Sequence, residues 1–498
     1  MLKQLNQIRL RGFETAILAG YAALVASAIA HHEPWADEAQ HWQLARNVSL
    51  HDLFFTYLHY EGHPILWYAL LRFLSLAGVS YTGMHWVAGA IGVAGTAFFL
   101  FLSPFPKYLK VLLPFTYFLL FQYVVVARSY VFAPLLFYLI AWQWKKSPLL
   151  VALFLGLLAN VEMHAAVLSG GLSLVYCIEQ LRSGAMKDPV RRKRLLLFLS
   201  IVFVLYAIAI GVAWPAHDGV AFPAHDVARW DVASKPYLMI AGQSLLWGIC
   251  DPLWLGFAFW VLFVFCFDER RSSLYLLPIL FFSAFSVVYL SFWHAGLLNP
   301  LLICLLWITW PTSAQKTLPY ERACRVALAA VAIVQVLWSA NALVYDYSHA
   351  YSGDRAVAEF LKPYVENGST IITTFIDQDD NHSFNAVGIL PYFSRPVFAN
   401  WKTPFWWWSI EKIKTDQLYE SILKSNPPIV VVETRQITPA IPIDMADPKI
   451  QFLQQSGYRA THAFCGTTPY RMALGMTCCH LIMQNAGTPT RPTQTESR

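Results

Sequence analysis

Residues 31–68 read HHEPWADEAQHWQLARNVSLHDLFFTYLHYEGHPILWY, and strongly apolar segments flank this stretch on both sides. Within it, residues 31–64 carry six of the fifteen histidines, one arginine and five acids, namely Glu33, Asp37, Glu38, Asp52 and Glu61. A polar, acidic and aromatic stretch set between membrane segments requires a reason to exist, and a functional site would supply one. The apolar flanks predict membrane helices, and the polar stretch between them is the first candidate for chemistry.

The composition supports a membrane protein. The 498 residues are 57% hydrophobic and only 13% charged, whereas soluble domains carry about 25% charged residues. Apolar runs of about 18 residues or more recur through the first 343 residues, which is the pattern of membrane-spanning helices. We therefore expect a polytopic α-helical membrane protein, because a barrel would show short alternating strands instead.

About 11–13 spans are predicted, depending on whether the short apolar segments 64–79 and 237–250 cross the membrane. The other predicted spans are 13–30, 83–103, 109–127, 129–143, 148–160, 164–181, 195–213, 252–267, 274–291, 296–310 and 324–343.

The distribution of lysine and arginine predicts the orientation. With the N-terminus in the cytoplasm and both short segments not crossing, eighteen lysines and arginines fall inside and five outside. The five are Arg46, Arg72, Arg128, Arg229 and Lys235. Because cytoplasmic loops carry the positive excess, we expect a multi-pass plasma (inner) membrane protein whose 31–64 loop and C-terminal region are extracytoplasmic.

The sequence predicts a C-terminal domain after the membrane region. We assign 1–344 to a transmembrane domain with first outer loop 31–64, 345–485 to an extracytoplasmic α/β domain and 486–498 to a disordered tail. Short apolar strands alternating with helices favour a mostly parallel sheet. The predicted elements are helix 354–366, strand 370–375, helix 411–424 and strand 429–432. One disulfide among Cys465, Cys478 and Cys479 would suit an oxidising compartment.

The segment PWADEAQHW predicts a short helix from Pro34 to Asn47, because proline and acids suit the first turn of a helix. Asp37 and His41 are four residues apart and therefore share a helix face. The alternative interpretation is a solvated helix on the membrane surface, with Trp35 and Trp42 as interfacial anchors.

Arg128 stands isolated between two apolar runs. An arginine in that position is costly and is a functional candidate. The alternative is an arginine whose side chain snorkels to the membrane interface.

These motifs together resemble the membrane glycosyltransferases of the GT-C class. The closest in pattern are bacterial relatives of the protein O-mannosyltransferases and of the aminoarabinose transferase that modifies lipid A. The matching motifs are Asp37-Glu38 after the first helix, the aromatic turn Glu61-Gly62-His63-Pro64, Ala127-Arg128-Ser129-Tyr130 and Glu162-Met163-His164. The commoner relatives carry Pro-Pro at the turn, where this chain has Gly-His-Pro.

The resemblance implies transfer of a hexose or pentose from a polyprenyl-phosphate donor to a lipid, glycan or protein acceptor outside the cytoplasm. Asp37 would deprotonate the acceptor hydroxyl as general base, the anomeric centre would invert, and Glu38 would orient the acceptor. Arg128 would grip the phosphate bidentately. His63 and His164 would assist Arg128, although a structural role for each histidine is an equal alternative.

Further substrate contacts are expected from Glu61, His41, Tyr130 and Lys235, with Arg229 as a weaker candidate for the lipid phosphate. The expected partners are the donor, the acceptor and membrane lipids, without nucleic acid. We expect no metal or other cofactor, and the alternative is a divalent ion on Asp37, Glu38, His41 and His63.

Two other functions remain open at this level. One is a ligase or polymerase that uses polyprenyl-diphosphate glycans, for which more convergent arginines would be expected. The other is a non-enzymatic membrane transporter, for which paired halves with breaks at mid-membrane would be expected. No internal repeat is visible in the sequence.

Overall fold

The computed structural model describes residues 12–219, 236–311, 317–374, 376–378, 381–383, 385–408, 424–435, 443 and 445–487. The chain forms two compact units. Unit 1 comprises Met1–His32, Val48–Tyr347 and Tyr470–Ala473, and unit 2 comprises Glu33–Asn47, Ser348–Pro469 and Leu474–Arg498. The assignment of 33–47 to the C-terminal unit differs from the sequence-based division, which placed this segment in the first loop of the transmembrane domain.

The described regular elements of unit 1 are helices, apart from the strand ends at Tyr470 and Ala473. Its main helices are α1 (Gly12–His31), α3 (Ile65–Leu76), α4 (Gly83–Leu102), α5 (Lys107–Val125), α6 (Ser129–Gln143), α7 (Pro148–Ala159), α8 (Met163–Arg182), α9 (Pro189–Ala213), α10 (Tyr237–Trp247), α11 (Leu253–Glu269), α12 (Ser273–Phe285), α13 (Phe292–Ile308) and α14 (Pro319–Ser348). Three short helical segments, Leu50–Asp52, Leu53–Tyr57 and Leu58–Glu61, precede α3. The helix α2 (Ala36–Asn47) belongs to unit 2.

Among the described residues, five helices are long and apolar enough to cross a membrane: α1, α4, α5, α9 and α14. By length and composition, these five are compatible with the expected helical membrane protein. The helices α3, α6, α7, α12 and α13 are apolar but shorter, with 10–17 residues each. Both short apolar segments of the sequence are helices, as α3 and α10.

Local sequence explains how the helices begin and how closely they pack. Asp188 accepts a hydrogen bond from the Val190 amide at 2.9 Å, and Pro189 occupies the first position of α9. In α8, a Cβ placed on Gly171 would lie 2.5 Å from Pro278 Cα of α12. Glycine is therefore required at this helix crossing, because any side chain would separate the two backbones.

The described residues of unit 2 form two small sheets. Four strands form one sheet in the order β1 (Ile371–Thr373), β4 (Ile429–Arg435), β6 (Ala473–Asn485) and β5 (Tyr458–Tyr470). The strands β2 (Ile376–Gln378) and β3 (Asn381–Ser383) form an antiparallel pair. The predicted strands 370–375 and 429–432 are confirmed as β1 and β4, and the predicted helix 354–366 is confirmed as α15 (Asp354–Glu366). The predicted helix 411–424 lies outside the described residues, apart from its last position.

The expectation of a mostly parallel sheet was wrong. The pair β1–β4 is parallel, but β4 and β6 are antiparallel. The long strands β5 and β6 follow one another with only Arg471 and Met472 between them, and so short a connection joins antiparallel neighbours. The sequence analysis had not predicted these two strands.

The central strand β4 is covered on both faces. Ile429 and Val431 pack in a core with α15, while Val430 and Val432 pack with α16 (Pro448–Gln455) on the other face. A continuous apolar run is expected for a strand that is buried on both sides.

From the sequence alone, the run Trp406-Trp407-Trp408 predicts an aromatic interface between the C-terminal domain and the membrane, with a sugar-binding platform as the alternative. Trp406 instead lies in the core of unit 2, and its ring centroid is 5.1 Å from that of Trp401. Trp408 is half-buried against the same core. For Trp406 the interfacial interpretation was wrong, because the ring is 4% exposed.

A disulfide joins Cys465 of β5 to Cys479 of β6, which is one of the pairings the sequence left open. The bond closes a loop with a sequence separation of 14 residues. We expect Cys465→Ser to destabilise unit 2 by up to about 3 kcal/mol, the chain-entropy value for a loop of this size. Hydrogen exchange of peptides from β4 to β6 in the full-length protein measures this loss. Adding reductant should change exchange in the wild type and not in the variant, and equal exchange in both proteins would contradict the prediction.

A buried pair makes the stability of unit 2 depend on pH. His480 Nε2 lies 2.8 Å from Asp354 Oδ1. Burial lowers the pKa of His480, but the hydrogen bond and charge of Asp354 outweigh burial and raise this pKa above its usual value. Burial has the opposite effect on the carboxyl group and raises the pKa of Asp354 above its usual value. A raised folded-state pKa gives stability that is present below the unfolded-state pKa and lost as pH rises through the folded-state pKa.

We therefore expect unit 2 to be more stable near pH 6 than near pH 9, because His480 loses its proton across this interval and leaves the buried Asp354 carboxylate without a cation. Hydrogen exchange of β6 peptides, corrected for the intrinsic effect of pH, measures the difference. In the variant Asp354→Asn, the stability of unit 2 should change less between pH 6 and pH 9 than it does in the wild type. A wild type whose β6 is equally protected at both pH values would refute the assignment.

Candidate functional site

The structure divides the predicted site residues between the two units. Unit 1 holds Glu61, His63, Arg128, Tyr130 and His164, and unit 2 holds Asp37, Glu38 and His41. Lys235 and Arg229 lie outside the described residues.

Arg128 is buried in unit 1, with 5% of its surface exposed. It follows α5 and directly precedes α6. The Cζ atom of its guanidinium lies 5.6 Å from the ring centroid of Tyr130 and 5.5 Å from that of Trp293. Both contacts are within cation–π range. The side chain is therefore held among aromatic rings, and the snorkelling alternative does not describe it.

Tyr130 is buried and stacks on Tyr123, with ring centroids 5.3 Å apart and planes at 17°. This stacking fixes the aromatic wall beside Arg128, because parallel ring packing restricts the side-chain torsions of both tyrosines.

His63 lies close enough to Arg128, Glu162 and His164 for their charges to shift its pKa. Its position follows Gly62, whose φ of 65° ends the short helix Leu58–Glu61 in the left-handed region that favours glycine. Burial, and next the positive charge of Arg128, lower the pKa of His63 to about 4. His63 is therefore neutral at pH 7 and can exchange hydrogen bonds with a ligand without adding charge.

Glu162 and His164 meet at the start of α8. Glu162 caps the helix, because Oε2 accepts a hydrogen bond from the His164 amide at 2.6 Å. The His164 ring donates from Nε2 to the Tyr289 carbonyl at 2.8 Å, which leaves a lone pair on Nδ1 in the neutral ring. Nδ1 lies 3.3 Å from Glu162 Oε2.

His294 is a site residue that the sequence analysis missed. It is 2% exposed, and its ring stacks on His164 with centroids 4.1 Å apart and planes at 11°. Nε2 lies 3.7 Å from Glu162 Oε1, and Nδ1 accepts a hydrogen bond from the Ser291 amide at 2.9 Å. The motif SFWHAG around His294 gives no sign of this contact, since its partners lie about 130 residues earlier.

Glu61 is also buried, two residues before His63, and it contacts Tyr68. Its Oε2 accepts a hydrogen bond of 3.4 Å from the Tyr68 hydroxyl of α3. This contact links the turn at Glu61–Pro64 to the helix that follows, which is a structural role.

In unit 2, the predicted helix 34–47 is confirmed as α2, although the helix begins at Ala36, two residues after Pro34. Asp37 is half-buried, while Glu38 is fully buried and its Oε2 accepts the Trp35 amide at 3.1 Å. His41 is also buried. Burial of one whole face contradicts the alternative of a helix solvated at a membrane surface.

Two contacts hold α2 within unit 2. Gln40 Nε2 donates to the Trp406 carbonyl at 2.7 Å, and the Trp406 amide donates back to Gln40 Oε1 at 2.8 Å. Such a reciprocal pair to a buried backbone restricts the rotation of the helix. The orientation of Asp37 within unit 2 is therefore set by the neighbouring Gln40.

The metal-binding residues considered from the sequence are divided between the two units: unit 2 holds Asp37, Glu38 and His41, and unit 1 holds His63. A different set lies together in unit 1, where ligand atoms of Glu162, His164 and His294 are within 4.8 Å of one another.

Comparison with known proteins adds no relative to this description: no protein-family model, curated protein or solved structure matches the chain.

Proposed function

We propose that this protein is a glycosyltransferase that moves a hexose or pentose from a polyprenyl-phosphate donor to a lipid, glycan or protein acceptor on the extracytoplasmic side of the membrane. The observation that supports this proposal best is the buried Arg128, held between aromatic rings in an apolar helical unit with His63 and His164 nearby. A guanidinium in such a setting suits a phosphate that is anchored in the bilayer by its lipid chain.

The chemistry of the donor explains why a cation is needed. Breaking the bond between the anomeric carbon and the phosphate places negative charge on the leaving group, and a fixed positive charge stabilises that product. The neutral His63 can donate one ring hydrogen bond to the same group, whereas the Nε2–H of His164 already donates to the Tyr289 carbonyl. Arg128 is thus the proposed phosphate-binding residue, with His63 as the assisting residue and His164 in a structural role beside them.

Asp37 is the proposed general base. A carboxylate within hydrogen-bond reach of the acceptor hydroxyl removes its proton as the oxygen attacks. Attack opposite the phosphate inverts the anomeric centre. Glu38 is the proposed second acid, and its burial with a hydrogen bond from the Trp35 amide suits a residue that orients the first turn of α2.

The topology that accompanies this function is also a proposal. A GT-C-like membrane region of 11–13 spans would have a cytoplasmic N-terminus, and the C-terminal domain would lie outside the cytoplasm. The disulfide between Cys465 and Cys479 supports an oxidising environment for that domain.

A donor-consumption assay tests the function without knowledge of the acceptor. The full-length protein in membranes is given polyprenyl-phosphate mannose, glucose and arabinose separately, and release of polyprenyl phosphate is followed by mass spectrometry. We expect release from at least one donor. Consumption of polyprenyl-diphosphate oligosaccharide alone would replace the proposal with a ligase or polymerase. Equilibration of intact substrate across vesicles without consumption would indicate a transporter.

A further inference from the structure

The buried group Glu162, His164 and His294 joins three parts of unit 1: the residue before α8, the first turn of α8 and the first turn of α13. Their exposed fractions are 3%, 1% and 2%. Two imidazoles and a carboxylate in one buried position together supply at least one nitrogen lone pair on each ring and the carboxylate oxygens, which are the donor atoms that a metal ion binds.

The geometry around His164 is specific. Its Nε2 is committed to the Tyr289 carbonyl, so Nδ1 is the atom that faces Glu162. Nδ1 is buried and makes no hydrogen bond to any described residue, although it is 3.3 Å from Glu162 Oε2. A hydrogen bond requires the ring nitrogen to aim at the oxygen, whereas two ligands of one metal ion aim at the ion.

The separations between the ligand atoms are near those of a small metal site. A tetrahedral ion with bonds of about 2.0–2.2 Å holds its ligand atoms about 3.3–3.6 Å apart. Glu162 Oε2 lies 3.3 Å from His164 Nδ1, and the other carboxylate oxygen, Oε1, lies 3.7 Å from His294 Nε2. The Tyr289 carbonyl supplies the outer contact that usually orients a metal-bound histidine.

We propose that Glu162, His164 and His294 bind a divalent transition-metal ion, with zinc as the best match. His164 binds through Nδ1, His294 through Nε2 and Glu162 through a carboxylate oxygen. Two histidines and one glutamate are a known zinc ligand set, and three protein ligands leave a fourth position for water or another oxygen. This proposal departs from the sequence-based expectation of no metal and does not depend on the proposed function.

Binding requires one local change. In the structure Nδ1 of His294 accepts the Ser291 amide, which places the proton of a neutral ring on Nε2. Ligation through Nε2 moves that proton to Nδ1, breaks the Ser291 hydrogen bond and turns the ring away from its stack on His164. One hydrogen bond and one ring contact are small losses beside a metal–nitrogen bond to a buried ion.

The experiment uses purified full-length protein that has been stripped with chelator. Zinc is added back, excess is removed, and the metal content is measured by mass spectrometry. We expect about one zinc ion per chain. We expect at least about a tenfold weaker affinity for zinc in each of the variants Glu162→Gln, His164→Ala and His294→Ala. Replacing a residue that only hydrogen-bonds to a metal ligand already lowers metal affinity by about tenfold or more, and a ligand itself should matter at least as much.

The matched control is Glu179→Gln. Glu179 lies on the same helix α8 and accepts hydrogen bonds from Trp144 and Tyr275, away from the proposed ligands. This variant should bind zinc as the wild type does. Elution of each variant as a single species in size-exclusion chromatography shows that the protein remains folded.

Cobalt gives a readout of the ligands themselves. Co²⁺ added to the wild type should produce the visible absorption of a tetrahedral nitrogen and oxygen site. A sulfur-to-cobalt charge-transfer band would show that cysteines bind the metal and would overturn the proposal. A wild type that takes up neither ion, or three ligand variants that bind as much zinc as Glu179→Gln, would overturn it as well.

Discussion

Replacing Asp37 by asparagine is expected to lower the rate of sugar transfer by about 10²–10⁴-fold, the usual contribution of a general base. Asparagine has nearly the same shape as aspartate but cannot accept the proton of the acceptor hydroxyl. The helix α2 should keep its place in unit 2, because Gln40 and Trp406 hold it through their two backbone hydrogen bonds. The release of polyprenyl phosphate measures the effect.

The matched control for this variant is Asp52→Asn. Asp52 belongs to the same polar stretch but is exposed, and its carboxylate is engaged by Ser49 and His51. This substitution should leave the transfer rate unchanged. Full activity of Asp37→Asn would remove Asp37 from the mechanism, and equal losses in both variants would point to the stability of the stretch rather than to a base.

Replacing Arg128 by alanine should weaken donor binding by about 30- to 1000-fold, which corresponds to about 2–4 kcal/mol for the loss of one partner from a buried charged pair. The effect should appear in the Kd for polyprenyl phosphate, measured by titration with a short-chain analogue. Arg128→Lys should recover only part of the affinity, because an ammonium cannot form the two parallel hydrogen bonds of a guanidinium.

Arg471→Ala is the control for burial and for aromatic contact. Arg471 is also buried, its guanidinium lies 4.7 Å from the Trp338 ring and 4.8 Å from the Tyr470 ring, and it pairs with Asp251. Its loss should not change the Kd for polyprenyl phosphate. If both arginine variants weakened binding equally, the effect would belong to folding, and an unchanged Kd in Arg128→Ala would remove Arg128 from the site.

The sequence predicted individual elements well where the pattern is local. Apolar runs predicted the long helices α1, α4 and α9, because burial in lipid requires continuous apolar side chains. Proline and acids at 34–38 predicted the start of α2. The apolar run at 429–432 predicted a strand that is buried on both faces, which is β4.

The sequence did not predict the hairpin of β5 and β6. Strand β5 contains Pro469, Gly466 and a run of small polar residues, and its exposed positions do not alternate with buried ones. Without that alternation no period of two is visible. The partner strand and the disulfide to Cys479 stabilise β5 through contacts that the local pattern does not contain.

The amino-acid sequence by itself determined the apolar helices that are long enough to cross a membrane and the candidate residues Asp37, Arg128 and His164, because composition and charge placement are properties of single segments. Only the tertiary structure decided which candidates meet. It joined Arg128 to Tyr130 and Trp293, and it brought His294 to Glu162 and His164 across about 130 residues. These contacts between residues far apart in the sequence arise because α8 packs against α12, which leads into the segment that carries His294. The helical and strand periodicities of a sequence describe only neighbouring residues and do not reveal such contacts.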